Sequence, residues 1–137
     1  MDRIEVTLTF PPSVNELYFN TSADKRRVAA SHGKKLPGRL KTKRHMEWRR
    51  VAGYELNLQH PKPVKGRYFI HIGFSRRHDV PKIDLSNHIK AVEDLLVAHG
   101  LIEDDGLSED IRLYWDDALP DRTCFVQVGS AEVKAAA

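Results

Sequence analysis

Tyr68-Phe69-Ile70-His71-Ile72-Gly73-Phe74, followed ten residues on by Asp84-Leu85-Ser86-Asn87-His88-Ile89-Lys90-Ala91-Val92-Glu93-Asp94-Leu95-Leu96-Val97-Ala98-His99-Gly100, is the stretch that decides the fold class. In the first segment Tyr68, Ile70, Ile72 and Phe74 alternate with other residues, the period of a strand with one buried face. In the second the period lengthens: at ~100° per residue, Leu85, Ile89, Val92 and Leu96 fall on one stripe. That predicts a helix from about residue 84 to 98, with Asp84 as its N-cap and Gly100 as its C-terminal stop. Asn87, Lys90 and Asp94 share the opposite side, so Lys90 faces solvent or a site rather than the core.

The same two periods recur on either side. Ile4, Val6, Leu8 and Phe10 predict a strand that Pro11-Pro12 ends, because proline cannot continue a ladder. Residues 41 to 59 read as a helix with Trp48, Val51, Ala52 and Leu58 on its apolar side, stopped by His60-Pro61-Lys62-Pro63. Ile111, Leu113 and Trp115 predict a third strand, and Cys124, Val126 and Val128 a fourth, with Leu119-Pro120-Asp121 as the hairpin turn between them. Residues 13 to 39 show no sustained period and read as a long loop, basic from 20 to 40 and mobile until a ligand orders it. A short basic loop ends in Pro81-Lys82-Ile83. The order β-α-β-α-β-β predicts one α+β domain over residues 1 to 137, a small mixed sheet covered by two helices. The tail, 130 to 137, carries no inference.

Composition bounds the class. A chain of 137 residues with 41% hydrophobic and 30% charged residues is long enough for one core and too apolar to be disordered. No apolar run approaches the ~20 residues of a membrane span, and Met1-Asp2-Arg3-Ile4 lacks the layout of a signal peptide. Cys124 is the only cysteine, which leaves no intrachain disulfide and no CxxC zinc site. The seven histidines show no HxH or HExxH spacing; His78, His88 and His99 read as surface or supporting groups. A cytoplasmic setting is expected. The net charge of +3 conceals a polarity. Residues 20 to 50 hold eleven Lys/Arg against Asp24 and Glu47, whereas residues 93 to 121 hold ten Asp/Glu against Arg112 alone. Two solvated faces that attract each other would explain this; so would a polyanion-binding arm beside an acidic centre.

Taken singly, Asp84 is an N-cap worth ~1 kcal/mol, Lys90 a surface lysine paired with Asp94 at i+4, and Asp104-Asp105-Gly106 a turn. Taken together they place carboxylates in a cation field, the combination a metal-dependent phosphodiester enzyme requires. The strand that closes in Phe10-Pro11-Pro12-Ser13-Val14-Asn15, and the later order of acid, spacer, Asn, lysine, helix, Gly and Asp-Asp pair between Lys82 and Asp105, resemble the RusA family of Holliday-junction resolvases. The resemblance runs from residue 4 to about 129, with 20 to 40 matching poorly.

That resemblance implies a homodimeric, Mg²⁺-dependent endonuclease, with Mn²⁺ as an alternative ion, acting on branched DNA such as a four-way junction. It implies that Asp84 and Asp105 are metal-binding and catalytic acids, that Asp104 assists as a ligand, that Lys90 is the catalytic lysine, and that Asn87 is the asparagine after the acid pair. Ser86 stands where the family carries a second Asp, which removes one negative charge from the site. Asp79, Glu93 or Asp104 supplies the missing acid, or Ser86 acts through a water, or the chain binds branched DNA without cutting it well. Lys34, Lys35, Arg39, Lys41, Lys43, Arg44, Arg49, Arg50, Arg76, Arg77 and Lys82, with Asn15 and Asn87, are the expected substrate contacts. Tyr18 and Phe19 are candidates for stacking on unpaired bases.

Overall fold

The computed structural model describes residues 3–80 and 82–131. Its main sheet has four strands in the order β1-β6-β4-β5: β1 (Arg3–Thr9), β4 (Tyr68–Phe74), β5 (Ser108–Trp115) and β6 (Thr123–Ser130). β6 lies antiparallel between β1 and β4, and β5 runs parallel to β4 on its other side. The sheet is mixed and the architecture is α+β, as the alternation of periods predicts.

The core follows from the pleat. Ile4, Val6 and Leu8 of β1, Tyr68, Ile70, Ile72 and Phe74 of β4, and Cys124, Val126 and Val128 of β6 all turn to one face and are buried. Two helices cover that face: α2 (Lys43–Gln59), through Trp48, Ala52 and Leu56, and α3 (Ile89–Ala98), through Val92, Leu95 and Leu96. On the opposite face, among the described residues, aromatics lie on glycines. A Cβ on Gly129 would stand 2.4 Å from the Phe69 ring, and one on Gly73 would stand 2.8 Å from the Tyr114 ring. A side chain at either position would push the ring aside.

Several expectations are corrected. The stretch from 13 to 39 is not a loop. It holds a 3-10 turn (Val14–Glu16), a strand β2 (Tyr18–Asn20), a helix α1 (Ala23–Ser31) and the approach to β3 (Arg39–Lys41), which pairs antiparallel with β2. Among the described residues the α-helices are therefore three. Ser22 caps α1 by accepting from the Lys25 N–H, yet α1 buries no residue, which is why no apolar period marks it. Leu119-Pro120-Asp121 is not a hairpin turn, because β4 lies between β5 and β6.

Leu58 is 60% exposed and Leu56 takes its place in the core, four residues after Ala52 and eight after Trp48. Ile111 is half exposed, whereas Leu113 and Trp115 of the same strand pack on the core. Asp84 caps a short 3-10 turn (Leu85–Asn87) and not the helix, which begins at Ile89 behind a bend at His88. His88 is buried, its Nδ1 2.9 Å from the Pro11 carbonyl, rather than on the surface. Gly100 does end α3, in the left-handed conformation at φ 69°. Pro81 and the tail beyond Ala131 lie outside the described residues. Among those residues no helix is long and apolar enough to cross a membrane.

Candidate functional site

A cavity of about 820 Å³ opens where the β2–β3 pair faces the far side of α3. Its basic wall is Arg39, Lys41 and Arg49; its floor is Lys90, Asp94, Glu103, Asp104 and Asp105. The wall is set by local chemistry. Thr21 bonds the Gly38 and Pro37 carbonyls, and Thr42 bonds those of Leu17 and Glu16, so both ends of the β2–β3 pair are tied down. The Arg39 guanidinium lies 4.6 Å from the centre of the Tyr18 ring. Thr42 then caps α2 through the His45 N–H, and one turn further Arg49 reaches the cavity.

The floor is organised around Lys90. Its Nζ donates to Asp105 Oδ2 at 2.9 Å and pairs with Asp94 Oδ1 at 3.0 Å, one helical turn away. Asp105 opens a 3-10 turn (Asp105–Leu107) in which the Asp104 carboxylate accepts from the Gly106 N–H at 2.9 Å. The bond from Lys90 holds the Asp105 carboxyl below the ordinary carboxylate range, with Asp104 adding to it, and the same pairing raises the Lys90 ammonium. Both groups are therefore charged across the neutral range.

Beneath them lies Glu93, only 7% exposed, whose Oε2 accepts the Tyr68 hydroxyl at 2.5 Å. Burial raises the Glu93 carboxyl above its ordinary range, and the nearby Asp105 charge adds to the rise. The Tyr68 hydroxyl is also 3.5 Å from the Asp105 backbone carbonyl, so the buried pair supports the floor from below.

The structure thus brings Lys90, Asp104 and Asp105 into one cleft with Arg39, Lys41 and Arg49. It places the other predicted residues elsewhere. Asp84 lines a cavity of about 550 Å³ with Arg76, Arg77, Lys82 and Trp115, and another of about 450 Å³ with Arg44, Asn87 and His88. Ser86 donates both its N–H (3.0 Å) and its hydroxyl (2.7 Å) to Asp84 Oδ1, which lowers the Asp84 pKa. Asp79 is held by Arg77 through two bonds of 2.8 and 2.7 Å and lines neither the cleft nor the Asp84 cavities. Its charge is spoken for by that arginine.

Of the basic residues, Arg44 pairs with Glu16, Arg50 with Glu47 and Arg76 with Asp117. Lys34, Lys35 and Lys43 are exposed on or beside the basic arm, as is Asn15 in the first 3-10 turn. Phe19 is exposed on β2 and Tyr18 is half-buried at the cleft wall. Sequence reading left Asp94 out of the site, although its i+4 spacing from Lys90 was the signal for it.

The donor chemistry of the floor fits a hard divalent cation: carboxylate oxygens from Asp94, Asp104 and Asp105, with no soft ligand among them. At present Lys90 supplies the positive charge between Asp94 and Asp105. Among the described residues no three His, Cys, Asp or Glu side chains are already grouped around a common point. No model of a known protein family matches the chain, and no curated protein matches it.

Proposed function

We propose that this chain is a Mg²⁺-dependent, structure-selective endodeoxyribonuclease of the RusA type, resolving Holliday junctions or other branched DNA. The observation that carries the reading is the cleft itself, in which a wall of Arg39, Lys41 and Arg49 faces a floor of Asp94, Asp104 and Asp105 across Lys90. A phosphodiester strand needs cations to hold it and carboxylates with a metal to cut it, and here both kinds of group share one cavity.

In this reading Asp105 and Asp104 would hold Mg²⁺, or Mn²⁺, and the bound ion supplies Lewis-acid stabilisation of the displacement at phosphorus. Asp84 fills the position of the first acid of the RusA pattern from its own cavity, where Arg76, Arg77 and Lys82 would receive a neighbouring phosphate. Lys90 would leave one of its two carboxylates to neutralise charge growing on the phosphate oxygens. Lys34, Lys35 and Lys43, exposed along the arm, would hold flanking backbone. The setting is a bacterial or phage-infected cytoplasm, and a homodimer would match the two-fold symmetry of a four-way junction.

A second reading has its own support. Ser86 is engaged with Asp84 rather than free, and Lys90 already neutralises two of the floor acids. Such a site suits a module that binds branched DNA without cutting it. Incubating a labelled four-way junction and a matched duplex with the protein, in Mg²⁺ or in chelator, separates the two. Mg²⁺-dependent cutting of the junction supports the nuclease, and a bound but uncut junction supports the binder.

A further inference from the structure

The two tryptophans of the chain are placed differently. Trp48 is buried, and its Nε1 donates to the Thr9 carbonyl at 2.8 Å. Trp115, the last residue of β5, is half-buried: it packs against the core and also lines the Asp84 cavity of about 550 Å³. The other walls of that cavity are of two kinds. Val80 and Ile83 are apolar, and Arg76, Arg77 and Lys82 bring positive charge. The Arg76 guanidinium, bonded to Asp117 at 3.0 Å, lies 5.1 Å from the centre of the indole ring, so a flat group already rests on that face. The neighbouring cavity of about 450 Å³ shares Arg77, Val80, Lys82, Ile83 and Asp84 with the first and reaches Ser13, next to the Val14 that lines the cleft. The two cavities form one trough that starts beside the cleft and ends at Trp115.

An aromatic face, apolar walls and cations around one cavity are the parts that hold an unpaired nucleotide, whose base stacks while its phosphate is neutralised. We propose that the Trp115 end of the trough is a pocket for one unpaired nucleotide of the DNA, its base stacked on the indole and its phosphate on Arg77 and Lys82. A base–aromatic stack outweighs an exposed cation–π contact, so the base takes the ring face from Arg76. Arg76 keeps its Asp117 partner, and no charge is stranded. Paired bases lie stacked on their neighbours and offer no free face, so the pocket selects strands with open positions, which a branch point supplies.

The proposal rests on the branched-DNA reading and names the unpaired base as the feature recognised, but it needs neither metal nor cleavage. A chain that captures a strand at Trp115 and never cuts a junction loses the nuclease reading and keeps the pocket. Junction cutting with Trp115 untouched does the reverse.

Tryptophan emission of the full chain in chelator, where nothing is cut, tests it. The probes are a short thymidine oligonucleotide, the same strand made abasic, a blunt duplex and inorganic phosphate. Only the oligonucleotide with bases is expected to quench the emission. Trp115→Leu is expected to lose that quench and to bind a labelled strand about tenfold more weakly, whereas Trp115→Phe keeps a stacking face and binds within about threefold of the parent. Circular dichroism confirms the fold of both. Equal quenching by the abasic strand or by phosphate would make this an anion site only and overturns the proposal. So does a duplex that quenches as strongly, a strand that leaves the emission unchanged, or Trp115→Leu binding like the parent. If Trp115→Leu does not fold, the parent decides: the bound oligonucleotide is expected to shield Trp115 from acrylamide, and undiminished quenching by acrylamide overturns the pocket.

Discussion

Lys90 is bonded to two carboxylates in this structure, and its replacement tests the floor of the cleft most cleanly. Its side chain is about half exposed and lies away from the apolar stripe of α3, so Lys90→Ala is expected to fold with a stability change within about 1 kcal/mol. Junction cleavage should be lost while junction affinity stays near that of the parent, as read by gel shift beside a cleavage assay. Retained cleavage would reduce Lys90 to a surface lysine.

Glu93 yields a second prediction, from pH. Its folded pKa is raised, so the folded protein holds that proton more tightly than the unfolded chain does. The associated stability is fully present below the ordinary Glu value of 4.5 and is lost as pH rises through the folded pKa. Glu93→Gln keeps a partner for the Tyr68 hydroxyl without ever ionising. Its melting temperature relative to the parent is expected to rise as pH climbs above the ordinary Glu value of 4.5; a pH-independent difference would show that Glu93 does not titrate there.

Legibility at this scale was uneven. Asp105, Lys90 and Asp104 meet because a helix ending at Gly100 returns the chain to its own flank, and that spacing is written in sequence. The separation of Asp84 into other cavities is not, because it depends on the bend at His88, whose ring is drawn inward to the Pro11 carbonyl.

At the scale of elements, α2 shows where periodicity misleads. Leu56 and Leu58 sit two residues apart, roughly 200° around the helix, and only Leu56 meets the sheet. Leu56→Ala is expected to cost about 2–5 kcal/mol through the cavity it leaves, and Leu58→Ala no more than about 0.5 kcal/mol, both by urea denaturation. Equal costs would put the wrong face of α2 on the core. The strands β1, β4 and β6 were readable because one face of each is fully buried, and β5 less so because its outer end carries exposed Ile111. Helix α1 was invisible because it buries nothing, and its cap at Ser22 is a weak signal without an apolar run behind it. The false hairpin between β5 and β6 has another cause: nothing local in Leu119-Pro120-Asp121 says that β4 will take the place between the two strands.

At the scale of the molecule, the separation of charge along the chain becomes the two sides of one cleft. The basic segment supplies the wall through Arg39, Lys41 and Arg49, and the acidic segment supplies the floor through Asp94, Asp104 and Asp105. In the proposed nuclease, wall and floor divide the work of holding and cutting one DNA strand. The measurement that tests it most directly follows junction binding and Mg²⁺-dependent cleavage side by side for Arg39→Ala/Lys41→Ala/Arg49→Ala and for Asp105→Asn, across a range of salt. The wall variant is expected to bind more weakly, with a shallower fall of log affinity against log salt, because fewer phosphate contacts release counterions. Asp105→Asn is expected to bind at least as tightly as the parent and to cut nothing, because it loses a carboxylate and with it some repulsion of phosphate. If the wall variant binds like the parent, or if Asp105→Asn still cuts at the parent's rate, the cleft is not where this chain holds and cleaves DNA.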